Sequence, residues 1–304
     1  MRRLVALTLA AALALAGCSS ASSEDPSATA SATGQIEAIA IGSSDSLAPT
    51  LDFVPGLTYP KPEYRVEWEG DGEPLQEGQP LLLDIYGESL QDHTQLINTY
   101  DGLPRSFLLA PEVVGDDLYD VLKTVNVGAR ILQVSPAGAD DEGKPPVAIV
   151  VDVLPIRAQG TTSAVDPNMP EVTLSATGEP TISIPDTDPP GDVTSAVLIQ
   201  GTGPQITSGS FVTVNYVGVH WDKGSNAEES WEAGDIFESS WPSENAPFET
   251  QIGVGQVIAG WDQSLIDVEA GSQVEIVVPP EAGYPDMGTL VFVVDVLDVW
   301  NPGI

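Results

Sequence analysis

The chain carries one pattern twice, and this repetition constrains its fold more than any single motif. At a constant separation of 131 residues, Val66, Gly70, Gly72, Gly78 and Gly87 match Val197, Gly201, Gly203, Gly209 and Gly218. Further along, the separation is 143: Pro104, Leu122, Val125, Gly128, Pro136, Asp152 and Val153 match Pro247, Leu265, Val268, Gly271, Pro279, Asp295 and Val296. The step between the two separations is what an insertion of twelve residues in the second copy produces. Equivalent apolar positions require equivalent cores, so the spacing predicts two units of one fold, residues 49–157 and 170–304, instead of one large core.

Within each copy, alternating runs such as Leu81-Leu82-Leu83-Asp84-Ile85 and Val212-Thr213-Val214-Asn215-Tyr216 predict strands. One helix is expected in the second copy, from Trp261 or Asp262 to Glu269 with Gly271 as its stop, and its counterpart over Asp116 to Asn126 closed by Gly128. A short helix laid on a curved antiparallel sheet is an α+β arrangement. Residues 158–169 carry turn formers without periodicity and are expected to be a linker. The prolines of Ile184-Pro185-Asp186-Thr187-Asp188-Pro189-Pro190-Gly191 predict an extended arm before the second copy's first paired strand.

The second copy reads Val212-Thr213-Val214-Asn215-Tyr216-Val217-Gly218, Phe237-Glu238-Ser239-Ser240, Pro247-Phe248-Glu249-Thr250-Gln251-Ile252-Gly253, Val257-Ile258-Ala259-Gly260-Trp261-Asp262, Pro279-Pro280-Glu281-Ala282-Gly283-Tyr284 and Leu290-Val291-Phe292-Val293-Val294-Asp295-Val296. In this order the segments resemble the FKBP family of peptidyl-prolyl cis/trans isomerases, over residues 197–299. The resemblance implies two FKBP-like domains and, in the second, a proline-binding box formed by Tyr216, Phe237, Phe248, Val257, Ile258, Trp261, Tyr284 and Phe292. Trp261 would be its floor, and the Ile258 N–H and Tyr284 hydroxyl would hold substrate carbonyls. The implied partners are proline-containing polypeptides and macrolides, with no cofactor. Three departures stand out: Glu238 replaces the family's aspartate, only Pro285–Thr289 separate Tyr284 from Leu290, and an insertion runs from His220 to Asp235.

The repeat separations carry the box onto the first copy as Ile85, Arg105, Gly115, Leu118, Asp141 and Ile149, none of them aromatic. That copy is expected to keep the scaffold and lack the pocket. The counterpart of Phe237 is not fixed by the sequence, because the copies differ in length there.

At the N-terminus, Arg2-Arg3 precedes thirteen mostly apolar residues, Leu4 to Ala16, and then Gly17-Cys18-Ser19-Ser20. This is too short for a permanent span and fits an export signal. Leu15-Ala16-Gly17-Cys18 resembles a bacterial lipobox, in which residues 1–17 are removed and Cys18 is lipidated. Cys18 is the chain's single cysteine, so intramolecular disulfides and cysteine metal sites are excluded. Residues 18–48 are expected to be the lipidated cysteine and a flexible tether, with a reach of roughly 20 Å for its Ser/Ala-rich part.

Without the signal, 8 basic residues face 45 acidic ones, and Lys223 is the only basic residue after Arg157. Such a surface repels nucleic-acid phosphates and anionic headgroups, which leaves the lipid as the expected means of membrane attachment. The acidic residues of the 222–235 insertion lack the glycine and glutamate positions of an EF-hand and read as a solvated loop with no metal. Expected, then, is an isomerase at the extracytoplasmic face of the cell membrane that assists the folding of exported proteins. The alternatives are a proline-segment binding module or holdase without turnover, and a structural surface lipoprotein.

Overall fold

Two sheets form from the alternating runs, and they have the same plan. The computed structural model describes residues 32–42, 48–138, 143–164, 166–226, 229–241 and 246–303. The signal segment, Cys18 and the tether as far as residue 31 lie outside the described residues. In the N-terminal repeat the elements are β1 (Glu63–Trp68), β2 (Pro80–Ser89), β3 (Gln95–Asn98), β4 (Arg105–Leu108), α1 (Asp116–Leu122), β5 (Arg130–Ser135) and β6 (Val147–Leu154). In the C-terminal repeat they are β7 (Thr194–Gln200), β8 (Phe211–His220), β9 (Ile236–Ser239), β10 (Phe248–Gln251), α2 (Ala259–Ser264), β11 (Gln273–Val278) and β12 (Leu290–Trp300).

The first sheet runs β1-β5-β6-β2-β3, with β4 also on β2; the second runs β7-β11-β12-β8-β9, with β10 also on β8. Registers agree residue by residue. Val151 faces Ile85 as Val294 faces Tyr216, and Asp152 faces Arg130 as Asp295 faces Gln273. The register also dissects the twelve-residue insertion. Glu88 faces Gln95 as Val219 faces Ile236, so ten of the extra residues lie between β8 and β9, and the other two lie between β9 and β10. This register makes Leu96 the counterpart of Phe237. The fold is α+β: α1 and α2 lie on their respective sheets, and in the N-terminal repeat a single helical turn, Pro111–Val114, precedes α1.

Strand alternation divides each sheet into two faces. On the helix side of the C-terminal repeat, Val212, Val214, Phe292 and Val294 pack with Trp261 and Leu265. The equivalent core of the N-terminal repeat holds Leu81, Leu83, Val151, Val153 and Leu122. Both turns after the helix need glycine: Gly128 and Gly271 have φ +89° and +88°, and their N–H groups donate to Val153 and Val296 at 2.8 and 2.7 Å.

The opposite faces are covered by N-terminal arms, and here the structure corrects two expectations. Residues 32–42 are no free tether, because Ile36 and Ile39 are buried with Leu51, Phe53 and Tyr59 against Leu132, Val134 and Val150. Nor are residues 158–169 a loose linker: Thr161–Thr162 pairs with the edge of β7, and Met169 is buried with Ile182, Val217 and Val291 under the Glu171–Leu174/Pro180–Ser183 hairpin. The helices are also shorter than expected. After Ser264 the chain turns at Asp267, which has φ +68° and donates its N–H to the Ile206 carbonyl, so helical hydrogen bonding stops before Glu269. Among the described residues no helix is long and apolar enough to cross a membrane.

The two repeats meet around two cavities. In one, Asn215, Ser240 and Trp241 share the lining with Glu73, Pro155, Ile156 and Arg157. In the other, Asp84, Thr99 and Tyr100 share it with Pro204, Asp298, Val299 and Trp300. Exchanging the repeats turns one set of positions into the other, which is the relation of an isologous two-fold contact, realised within a single chain.

Candidate active site

The box is assembled on the helix-facing side of β8 and β12. Tyr216 and Phe292 point the same way on neighbouring strands, and Gly218, opposite Phe292, leaves the space that Phe237 fills. Gly260 lets α2 sit directly on β11, since a Cβ there would lie 2.6 Å from a Val278 methyl. That close approach brings Trp261 against the strands.

Trp261 stands edge-on to Tyr216 (5.2 Å between ring centroids, 88°) and to Phe292 (5.5 Å, 88°). Phe248 meets Tyr216 at 5.9 Å and Trp261 at 6.3 Å, and Phe237 meets Phe292 at 5.6 Å and Tyr284 at 6.3 Å. All six predicted aromatics thus belong to one edge-to-face cluster, the favoured arrangement for ring quadrupoles. Trp261, Tyr216 and Phe292 are buried, whereas Phe248 and Tyr284 are 40% and 44% exposed and form the open rim. Val257 and Ile258 lie half-buried against the same core.

The polar groups are few. Burial, then the charge of Glu238 and a hydrogen bond to it, raises the Tyr216 phenol above its usual range, so Tyr216 keeps its proton and donates it to Glu238. Burial and then the Glu238 charge also raise Tyr284. At the start of α2 the Ile258 carbonyl accepts from the Trp261 N–H at 3.0 Å and the Asp262 N–H at 3.2 Å, while among the described residues no backbone carbonyl receives the Ile258 N–H. The site is thus an aromatic cluster with a buried centre and an open rim, with a donor at the helix start and a hydroxyl on the rim.

Residues 203–297 match the family model described as FKBP-type peptidyl-prolyl cis-trans isomerase. The FK506-binding protein of Streptomyces anulatus is 32% identical over 131 residues, which are 40% of this chain and 97% of that protein. The chain belongs to the FKBP family. FK506-binding protein 1A of Aspergillus fumigatus is 33% identical over 119 residues, covering 36% of this chain and 96% of that one. Among solved structures, the three FKBP domains of wheat FKBP73 align with a TM-score of 0.30 and 17% identity, over 79% of this chain and 94% of that chain.

Several residues of this FKBP's site are not legible as such in its sequence. Asp262 accepts the Gly253 and Gly255 N–H groups at 2.7 and 2.8 Å and so fixes the loop before Val257. Its place directly after Trp261 is the only signal. Ser240 donates to Asn215 Oδ1 and accepts the Tyr216 N–H, both at 2.9 Å, while Asn215 Nδ2 donates to the Ile156 carbonyl at 2.8 Å. The backbone of Tyr216 is thereby tied to the end of the N-terminal repeat. The N-terminal repeat holds the same relay as Asp84, Thr99 and the Ile85 N–H.

The short 285–289 stretch is braced by the insertion. His220 Nδ1 lies 3.0 Å from the Met287 carbonyl, Asn226 Nδ2 donates to Met287 Sδ at 3.3 Å, and Trp231 stacks on His220 at 4.3 Å. Within the insertion, Lys223 pairs with Glu232, and Asp235 accepts the Glu232 N–H at 2.7 Å. Among the described residues no three acidic, histidine or cysteine side chains are grouped to hold a metal.

In this FKBP's N-terminal repeat, Ile85, Leu118 and Ile149 are half-buried against its core, Arg105 and Leu96 are exposed, and Gly115 precedes α1 with φ +82°. Asp141 lies outside the described residues.

Proposed function

We propose that the C-terminal repeat catalyses cis/trans isomerisation of X-Pro bonds in polypeptides, and that residues 49–157 and 170–304 are two FKBP-like domains of which only the second has a box. The six-ring cluster around Trp261 carries this reading. Amide resonance gives the X-Pro bond a barrier of about 18–20 kcal/mol, and no nucleophile is needed to lower it. The twisted bond has lost resonance and is less dipolar at its carbonyl than the planar amide. A dry aromatic box therefore favours it, and each tenfold in rate needs about 1.4 kcal/mol of such preference. The proline ring would sit on Trp261 between Tyr216, Phe237, Phe248 and Phe292, with Val257 beside it. The Ile258 N–H and Tyr284 hydroxyl would hold the flanking carbonyls, and Glu238 would fix the Tyr216 hydroxyl.

The test is the isomerisation rate of a proline tetrapeptide with the chain from Ser19 onward. Catalysis is expected, and Trp261→Ala should abolish both it and macrolide binding while leaving the far-ultraviolet circular dichroism folded. A folded Trp261→Ala protein with undiminished rate refutes this site. FK506 binding without any acceleration by the unaltered chain would instead establish a binding module.

The place of action proposed is the extracytoplasmic face of the membrane, with Cys18 lipidated and exported proteins in need of folding as clients. The support is the sequence of residues 1–18 and the acidic surface. Cys18→Ser should appear in the medium or remain uncleaved, and detergent-dependent membrane association of that variant would refute the anchor.

A further inference from the structure

The two cavities between the repeats are equivalent in position and opposite in chemistry. The one on the side of the N-terminal repeat's relay, about 390 Å³, sets Asp84 near Asp298. The one on the side of the intact box, about 500 Å³, has Asn215 in place of Asp84, Pro155 in place of Asp298 and Trp241 in place of Tyr100. Its charged lining residues, Arg157 and Glu73, neutralise each other as an ion pair. The remaining walls are dominated by Pro74, Pro155, Ile156, Trp241 and Pro247.

This cleft adjoins one side of the box. Ser240 and Pro247 line both the cleft and the depression that contains Tyr216 and Phe248. Trp241 also carries an indole N–H that is buried with no acceptor among the described residues, an unusual and costly state for a donor.

We infer that the cleft between the repeats is a second subsite, which takes the apolar residues flanking a proline of an unfolded polypeptide held in the box. The inference rests on reading the box as the proline site. An extended chain advances about 3.3 Å per residue, so residues that leave the box past Pro247 enter the cleft within a few steps. A cavity of this size, apolar and without net charge, suits apolar side chains of an unfolded segment and disfavours acidic ones. The N-terminal repeat, which has no aromatic box of its own, supplies one wall through Pro74, Pro155 and Ile156. Its task becomes substrate capture.

The test compares a proline tetrapeptide with the same tetrapeptide extended by about eight apolar-rich residues at either end, using the chain with both repeats. Dissociation constants and isomerisation rates are measured for each. At least one extended peptide should bind about tenfold more tightly. Ala176→Trp, which fills the cleft from the rim on the arm hairpin, should remove that gain and leave the tetrapeptide rate unchanged, and Thr177→Trp should do the same. Equal affinity for all peptides, or a gain that survives both variants, overturns the subsite. Absence of isomerisation with a gain that Ala176→Trp removes would refute the catalytic reading and sustain the cleft.

Discussion

Gly218 lies where the β8 backbone passes beneath the Phe237 ring, and a Cβ there would stand 2.4 Å from Phe237 Cε1 and 3.0 Å from Phe292 Cε1. The width of the box is therefore set by an absent side chain. Gly218→Ala must push Phe237 outward, because Phe292 is buried and has nowhere to go. The expected result is a 10- to 100-fold loss of proline-peptide affinity and an overpacking cost of about 1–3 kcal/mol in stability, read by titration and by thermal melting. Unchanged affinity would show that Phe237 is no wall. The box aromatics were legible in the sequence because each ring is itself the signal, whereas Gly218 reads only as a weak strand residue. Asp262, Asn215 and Ser240 escaped notice for a related reason. Their roles lie in hydrogen bonds to partners far along the chain, and no local pattern encodes those.

Among the strands, β11 carries the least expected side chain. Glu275 is fully buried, neither carboxylate oxygen has a hydrogen-bond partner among the described residues, and it faces the apolar layer beneath the arm hairpin, opposite Val293. Burial alone raises its pKa from 4.5 to about 8. The folded chain thus keeps a proton that the unfolded chain releases. This contribution to stability is complete below pH 4.5 and is lost as the pH rises to about 8, at up to about 1.4 kcal/mol per pH unit. The N-terminal repeat has Leu132 at the equivalent position. Glu275→Leu should raise the melting temperature more at pH 8 than at pH 5, and an equal rise at both would refute the buried-acid account. The main strands and the helix positions were readable from periodicity and the repeat. The arms were not, because two- to four-residue strands give no periodicity, and the end of α2 was displaced by Asp267, whose positive φ is uncommon for a non-glycine residue.

For the whole molecule, the repeat separations showed that two equivalent units exist, but nothing local in the sequence marks which faces meet. That contact depends on Glu73, Ile156 and Arg157 on one side and Asn215, Ser240 and Trp241 on the other, residues whose equivalence emerges only from the register. Because both halves of the two-fold contact belong to one polypeptide, mass action cannot dilute them apart. A separate dimer would need enough neighbours to form its cleft. This chain brings its own partner, so a single molecule, however sparse its population, presents the complete cleft.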